Sequence, residues 1–345
     1  MVQRTFLNIM RFKSAVLQKI NKPLVVQDFN ISKLKRGQVL VKILYSGICR
    51  SQIMEIKGKR GEDKWLPHGL GHEGSGVVMK VGSGVRKVKI GNEVILSWIK
   101  GKGIESGGFK LKNLEKKSIN FGPITTFSNY SIVSENRVFL KPKNLSFKES
   151  VLYGCAIPTG SGIVFNETEL KGKEKILIIG IGGIGLSCLL ALLSKRMKNI
   201  YILEKNKKKL DIINNLKFPY IKIYNKNKDI NFDYCFECSG KAEMIEYGIK
   251  KIKRKGKIIF ASHPESKKKI KIDPHELISG KSISGTWGGS SNLDKDIKKF
   301  NKLFKDKKIS LKVFFSRVYK LDKINDAFKD LDKGNILRAL VKMEH

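Results

Sequence analysis

The apolar positions of this chain follow two rhythms. From Phe12 to Leu44 they come in short β-type runs parted by turn residues: Ser14-Ala-Val-Leu, Leu24-Val-Val and Gln38-Val-Leu-Val-Lys-Ile-Leu. That pattern predicts an antiparallel β domain and not a first βαβ unit. Val81-Gly-Ser-Gly-Val and Ile90-Gly-Asn-Glu-Val-Ile add hairpin and strand material, and Phe127 to Val133 and Val138 to Leu140 read as further strands. Residues 100–122, rich in Lys, Gly and Asn, hold no strong period and read as a surface lobe.

The rhythm changes after Lys148 to Ile157. Ile176 to Ile179 is a fully apolar run, as expected of a strand buried on both faces of a parallel sheet. Strands at Ile200 to Leu203, Phe232 to Gly240, Gly256 to Ser262 and Ser282 to Gly289 follow, with a helix over Ala242 to Ile252. Asp294 to Lys305 reads as an amphipathic helix with Ile297, Phe300 and Phe304 on one face. A helix around Ile324 to Leu331 and a strand at Ala339 to Val341 close the chain.

The centre of this second half is the turn after Ile179. Gly180, Gly182 and Gly185 fall on G-x-G-x-x-G, and Leu186, Leu189, Leu190 and Leu193 continue at helical spacing. Such a turn aims a helix N-terminus at an anion, with room for a pyrophosphate to approach the backbone. The next strand ends in Glu204, nineteen residues past Gly185, where a dinucleotide fold places the carboxylate that holds the adenosine ribose. A nucleotide site follows.

Composition narrows the class. The 345 residues suffice for one large or two medium domains, and no apolar run reaches the roughly 18 residues of a membrane helix. Arg4 is the one basic residue before Met10, with no long apolar stretch after it, so no secretory signal is expected; residues 1–9 read as a short tail or a misassigned start. Sixty-nine Lys and Arg against 31 acids give a net charge of +38. The lysines are spread along the chain, as at Lys207 to Lys209 and Lys267 to Lys269, without interleaved aromatics, so solvated faces account for them better than a specific nucleic-acid site. Five cysteines, at 49, 155, 188, 235 and 238, are too few and too scattered for a disulfide scaffold and point to a reduced, cytoplasmic protein.

Cys49, His72 and Cys155 are thiolate and imidazole donors of the kind zinc takes, and a catalytic zinc uses three protein ligands. Spacing alone leaves open a core thiol and a turn histidine. The C-x-x-C of Cys235 and Cys238 lies in a strand, where the two point to opposite faces, so both read as core, as does Cys188. His68 reads either as a pocket residue or as an exposed turn histidine, and His263 and His275 show no partner pattern.

The wording around the trio goes further. Gly47-Ile-Cys-Arg-Ser51, Gly71-His-Glu-Gly74 and Gly154-Cys-Ala-Ile-Pro-Thr-Gly160, in this order before the glycine turn, resemble the zinc-dependent alcohol dehydrogenases of the medium-chain dehydrogenase/reductase superfamily. Asp273-Pro274, Gly280-Lys281 and Gly285-Thr-Trp-Gly-Gly289 extend the resemblance, which runs from Met10 to the end of the chain. It implies an α/β protein with a β-rich GroES-like catalytic domain over 10–156, regained over 288–345, and a Rossmann NAD-binding domain with a doubly wound parallel sheet over 157–287. It further implies reversible oxidation of an alcohol with one catalytic zinc and NAD, in a homo-oligomer with a small-molecule substrate and neither a nucleic-acid nor a membrane partner.

By position, the resemblance makes Cys49, His72 and Cys155 the zinc ligands with Glu73 beside the metal. Arg50 and Arg338 match arginines that touch the cofactor pyrophosphate, and Thr159 a threonine against the nicotinamide. Glu204 and Lys209 fall to the cofactor, and Ser51 to the substrate proton. Three departures stand out. Gln52 replaces an acid that orients the ligand histidine, Met54 replaces a histidine that passes the proton on, and no cysteine lies between 49 and 155 where many relatives hold a structural zinc. The rival expectations are a zinc-free reductase of quinones or enones in the same superfamily, and a non-catalytic nucleotide- or RNA-binding protein.

Overall fold

The structure, a computed structural model, describes residues 11–315 and 317–345. Residues 1–9 lie outside the described residues. Three sheets organise the described residues, and the longest strand of the first half ties two distant parts of the sequence together. This strand, β3 (Gln38–Ile48), carries apolar residues at most positions because it is lined on both edges. It pairs antiparallel with β5 (Glu73–Val81), β9 (Tyr130–Ser134) and β18 (Ala339–Lys342). Two register shifts against β5 let it bend from one set of partners to the next. With β6 (Glu93–Ser97), β10 (Val138–Leu140) and β17 (Arg317–Lys320), the order is β10-β6-β5-β3-β18-β17. The C-terminal strand therefore sits directly against the strand that leads to Cys49.

A second sheet has the order β2 (Val25–Asn30), β1 (Arg11–Leu17), β4 (His68–Gly69), β8 (Ser118–Gly122) and β7 (Phe109–Lys112). Residues 100–122, expected as a surface lobe without a strong period, contain a β-hairpin that extends this sheet through His68 opposite Asn120. Phe109, Leu111, Ile119 and Phe121 alternate inward, but two periods per strand amid lysines leave a faint signal. The ring of Phe121 lies 5.0 Å from Phe29, 5.3 Å from Phe109 and 6.1 Å from Phe12.

The third sheet is parallel throughout, in the order β13 (Ile221–Ile223), β12 (Ile200–Leu203), β11 (Ile176–Ile179), β14 (Phe232–Glu237), β15 (Ile252–Phe260) and β16 (Ser282–Gly285). Strand order reverses between β11 and β14, and such a switch point opens a ligand crevice at the carboxyl ends of the strands. Strand β15 starts earlier than the sequence suggests. Ile252 already pairs with Phe232 before a register shift carries Lys257 opposite Tyr234.

Helices α4 (Gly183–Ser194), α5 (Lys207–Asn215), α6 (Ala242–Lys251) and α7 (Pro274–Ile278) connect these strands. Short helices α1 (Arg50–Ile56) and α2 (Phe147–Ser150) start in the first half, and α3 (Ala156–Asn166) packs against α4. On α8 (Leu293–Asp306) the buried face is Leu293, Ile297, Phe300 and Phe304, and its side chains join the core of α3 and α4. Helix α9 (Ile324–Asp332) turns Ile324, Ala327, Phe328 and Leu331 to the first sheet. Cys188 and Cys235 are fully buried and Cys238 nearly so, as core packing requires.

The four-ring cluster makes the hairpin lobe an energetic part of the fold. Phe121→Ala should cost about 3–5 kcal/mol, the usual range for a buried phenylalanine. Urea denaturation checks this, and a loss below about 1 kcal/mol would mean that the lobe is only draped on the sheet.

Candidate active site

Three chain junctions meet at one point. Cys49 follows β3 and is the N-cap of α1 with extended backbone (φ −97°, ψ 146°), so its thiol leaves the strand where the helix begins. His72 lies between β4 and β5, and Cys155 at the break between a 3-10 turn (Val151–Gly154) and α3. Their ligand atoms all lie within 4.8 Å of one another. His72 Nε2 is buried without a hydrogen-bond partner. A buried, unpaired imidazole nitrogen beside two thiols fits a borderline-soft cation such as zinc, which takes N and S donors at tetrahedral spacing.

Electrostatics prepare the site for a cation. A hydrogen bond from Cys155 holds the Cys49 thiol well below the ordinary thiol range, helped by His72 and the charge of Arg338 against the opposing effect of burial. The Cys155 thiol moves up, because it donates to Cys49 and is itself buried. The pair thus gives up its first proton at Cys49. Beneath it, fully buried Glu73 forms an ion pair with Arg338. Burial pushes the Arg338 guanidinium down, and the neighbouring Cys49 partly restores it.

Gln52 has a different task from the one the resemblance suggests for its position. Its Oε1 accepts the Cys49 N–H at 3.0 Å, so the amide caps α1 and fixes the backbone of Cys49. Thr159 donates its hydroxyl to the Cys155 carbonyl at 2.8 Å. Glu73 stands behind the trio, not on the cavity wall.

A cavity of about 370 Å³ connects the trio with the glycine turn. Arg50, Ser51, Thr159 and Arg338 line it, as do Gly182 and Met54. Gly180 has φ +87°, and a Cβ on Gly185 would come within 2.0 Å of the Gly180 carbonyl, so a side chain there would push α4 off the strand. Space beside Gly182 is open, with nothing within 4 Å of a built Cβ. Glu204 accepts N–H bonds from Ile181 at 2.9 Å, Lys205 at 2.8 Å and Asn206 at 3.0 Å. Lys209 Nζ is 3.8 Å from its Oε2; burial pushes that ammonium down, Glu204 raises it, and Arg50 lowers it again.

Sequence reasoning missed several wall residues. Trp98, Trp287 and His263 face the cavity from three different strand ends. Burial, then the nearby charge of Arg60, pushes the His263 imidazole down. Their only sequence signal is a position one to three residues past a strand's carboxyl end. His68 is buried, with Nε2 at 2.8 Å from Asp63 Oδ2 and Nδ1 at 3.0 Å from the Gly69 carbonyl. His275 lies on exposed α7.

Residues 35–143 match the model of the alcohol dehydrogenase GroES-like domain. The chain is similar to S-(hydroxymethyl)glutathione dehydrogenase of Komagataella pastoris, 26% identical over 97% of this chain and 98% of that protein. Alcohol dehydrogenase class-3 of Dictyostelium discoideum is 26% identical over 96% and 97% respectively. Among solved structures, benzyl alcohol dehydrogenase from Acinetobacter calcoaceticus shares the fold with a TM-score of 0.84 at 24% identity, over 97% of this chain and all of that one.

The buried ion pair sets a test of its own. Glu73→Gln should destabilise the protein by roughly 3–5 kcal/mol, because Arg338 keeps its charge and loses its carboxylate. Glu73→Gln with Arg338→Met should recover much of that loss. Urea melts of the single and double variants measure it, and additive losses would mean that the two residues act separately.

Proposed function

We propose that this chain, similar to alcohol dehydrogenases along nearly its whole length, is a zinc-type alcohol dehydrogenase of the medium-chain dehydrogenase/reductase superfamily that reversibly oxidises an alcohol to an aldehyde or ketone with one zinc and NAD. One observation carries the reading. The Cys49–His72–Cys155 donor set, with its unpartnered His72 Nε2, opens on the same cavity that reaches the Gly180–Gly185 turn. A metal centre and a dinucleotide turn on one cavity is what hydride transfer between an alcohol and a nicotinamide needs.

The zinc would supply Lewis acidity toward the substrate oxygen, and the nicotinamide the hydride acceptor. The chain's own residues do the remaining work. Cys49, His72 and Cys155 hold the metal, and Glu73 steadies them through Arg338. Ser51, two residues from Cys49, takes the substrate proton. Thr159 packs against the nicotinamide, and Arg50, Arg338 and the N-terminus of α4 receive the pyrophosphate. Glu204 binds the adenosine ribose, with Lys209 beside it. The catalytic domain comprises residues 10–156 and 288–345, and the NAD-binding domain 157–287. The protein works as a homo-oligomer in the cytoplasm on a small-molecule substrate.

A panel of alcohols followed by NADH absorbance tests the activity; turnover of enones or quinones without zinc would replace this reading with a zinc-free reductase. The tag-free protein should carry about one equivalent of zinc, as a three-ligand catalytic site holds one ion. Cys49→Ser should lose both metal and turnover, and two equivalents in the wild type would contradict the single site.

NAD should be preferred to NADP, since Glu204 would face the added 2′-phosphate. Two unit charges about 4 Å apart at an effective dielectric near 20 repel by roughly 4 kcal/mol. A third of that, after the offset from Lys209, is about tenfold in affinity. Glu204→Ala should narrow the ratio of kcat/KM values, and equal values in the wild type would defeat the assignment.

A further inference from the structure

We propose that Glu55, with Asp63 and His68 behind it, carries the substrate proton from the cavity to solvent through the loop before β4. The proposal rests on the alcohol dehydrogenase reading and adds the exit that the proton takes. Glu55, Asp63 and His68 each offer a donor atom, and the three atoms lie within 4.8 Å of one another. They come from α1, from the loop that follows it and from β4. Nε2 of buried His68 stands 2.8 Å from Asp63 Oδ2, and Nδ1 stands 3.0 Å from the Gly69 carbonyl. A carbonyl can only accept, so Nδ1 carries a proton, and a second proton lies between Nε2 and the carboxylate, which would otherwise meet as two acceptors. His68 thus holds Asp63 in place. The Asp63 side chain is 11% exposed, between exposed Glu62 and Lys64, so the cluster ends at water.

Glu55 joins this cluster to the cavity. Ser51 and Glu55 are four residues apart on α1, which stacks them on one face of the helix, and both line the cavity. Met54 lines it too, but a thioether has no proton to pass on. Arg60 Nη1 lies 3.7 Å from Glu55 Oε2, a loose and partly exposed pair that leaves the carboxylate free to accept.

In oxidation the C–H bond breaks with its electron pair to NAD, and the O–H bond leaves its pair on the oxygen that becomes the carbonyl. Ser51 takes the proton of that O–H bond as it gives its own to Glu55. Glu55 passes a proton to Asp63 across a gap of at most 4.8 Å, which one water spans, and Asp63 releases it to solvent. Reduction draws a proton inward by the same steps. The route uses the chain's own carboxylates, one helical turn from the hydroxyl that meets the substrate.

Glu55→Gln keeps the shape of the side chain and removes its ability to take a proton. With zinc-loaded enzyme, NAD and the alcohol panel, a single turnover read by NADH absorbance should slow about tenfold, less than the roughly 10²-fold of a group that takes the proton directly. Glu55→Asp should keep part of the rate. Imidazole added as an external base should restore Glu55→Gln, which a merely structural loss would not allow. A second readout needs no turnover. In the metal- and cofactor-free protein, NMR of the five histidine rings should show the His68 signal shifted by Glu55→Gln. An unchanged single-turnover rate, a loss that imidazole does not restore, or a His68 signal untouched by Glu55→Gln would overturn the proposal while leaving the dehydrogenase reading intact. Failure of the wild type to turn over any alcohol would overturn both.

Discussion

The ion pair between Glu73 and Arg338 is the interaction on which the site depends. Glu73 opens β5 directly after His72 of the candidate site, and Arg338 is the residue before β18. Strand β18 lies against β3 with Ala339 opposite Ile48, the neighbour of Cys49. One buried contact thus ties together the chain segments of Cys49 and His72 from opposite sides, though its partners stand 265 residues apart in sequence. Its energy is that of a buried pair, weak as a net contribution and severe to break, because either charge alone would remain stranded. Such a pair specifies an arrangement more than it adds stability. The guanidinium also adds a smaller share, behind the Cys155 hydrogen bond and His72, to what holds the Cys49 thiol down.

Much of the fold was legible because it is written in local periodicity. The apolar run at Ile176 to Ile179, the glycine turn and the stripe of Ile297, Phe300 and Phe304 each lie within one element, where a period of two or 3.6 shows directly. The donor trio was legible only through the wording around it, since nothing in three cysteine and histidine positions spread over a hundred residues fixes their meeting. What escaped is what depends on pairing at long range. Trp98 belongs to no pattern, and Trp287 has no role within its glycine-rich segment, until β6 and β16 bring their ends to one cavity. Gln52 was read through the acid it replaces, yet its amide serves the Cys49 backbone. His68, ambiguous as a turn residue, acquires its role only from Asp63 on the facing loop.

The large positive charge resolves into two populations. Most of the paired lysines are exposed, and such pairs contribute little. A few are buried or nearly so and carry structure. Lys141 places its ammonium between Glu93 and the carbonyls of Pro142 and Leu145. Lys87 reaches Asp294 at 2.7 Å with its ammonium over the Phe139 ring, joining α8 to the first half of the chain. Exposed Lys299 and half-buried Lys195 also lie over a ring, that of Phe165. A lysine-rich composition is compatible with a packed core because the stems cover apolar surface while the charged ends find an acid, a carbonyl or a ring.

The lobe over residues 100–122 shows how the same fold can hold a segment by other means. A stretch without cysteines cannot be pinned by a thiolate metal centre, so its order must come from burial and strand pairing. Phe121 gives that burial: it stacks on Phe109 within the hairpin and meets Phe12 and Phe29 of the neighbouring strands edge-on or nearly so. The hairpin then pairs through His68, whose own ring is held by Asp63 and Gly69 only four residues before His72 of the candidate site. The lobe is therefore coupled to the candidate site through β4. Packing that anchors the lobe also sets where the β4 loop ends, and with it the position from which His72 reaches the two thiols.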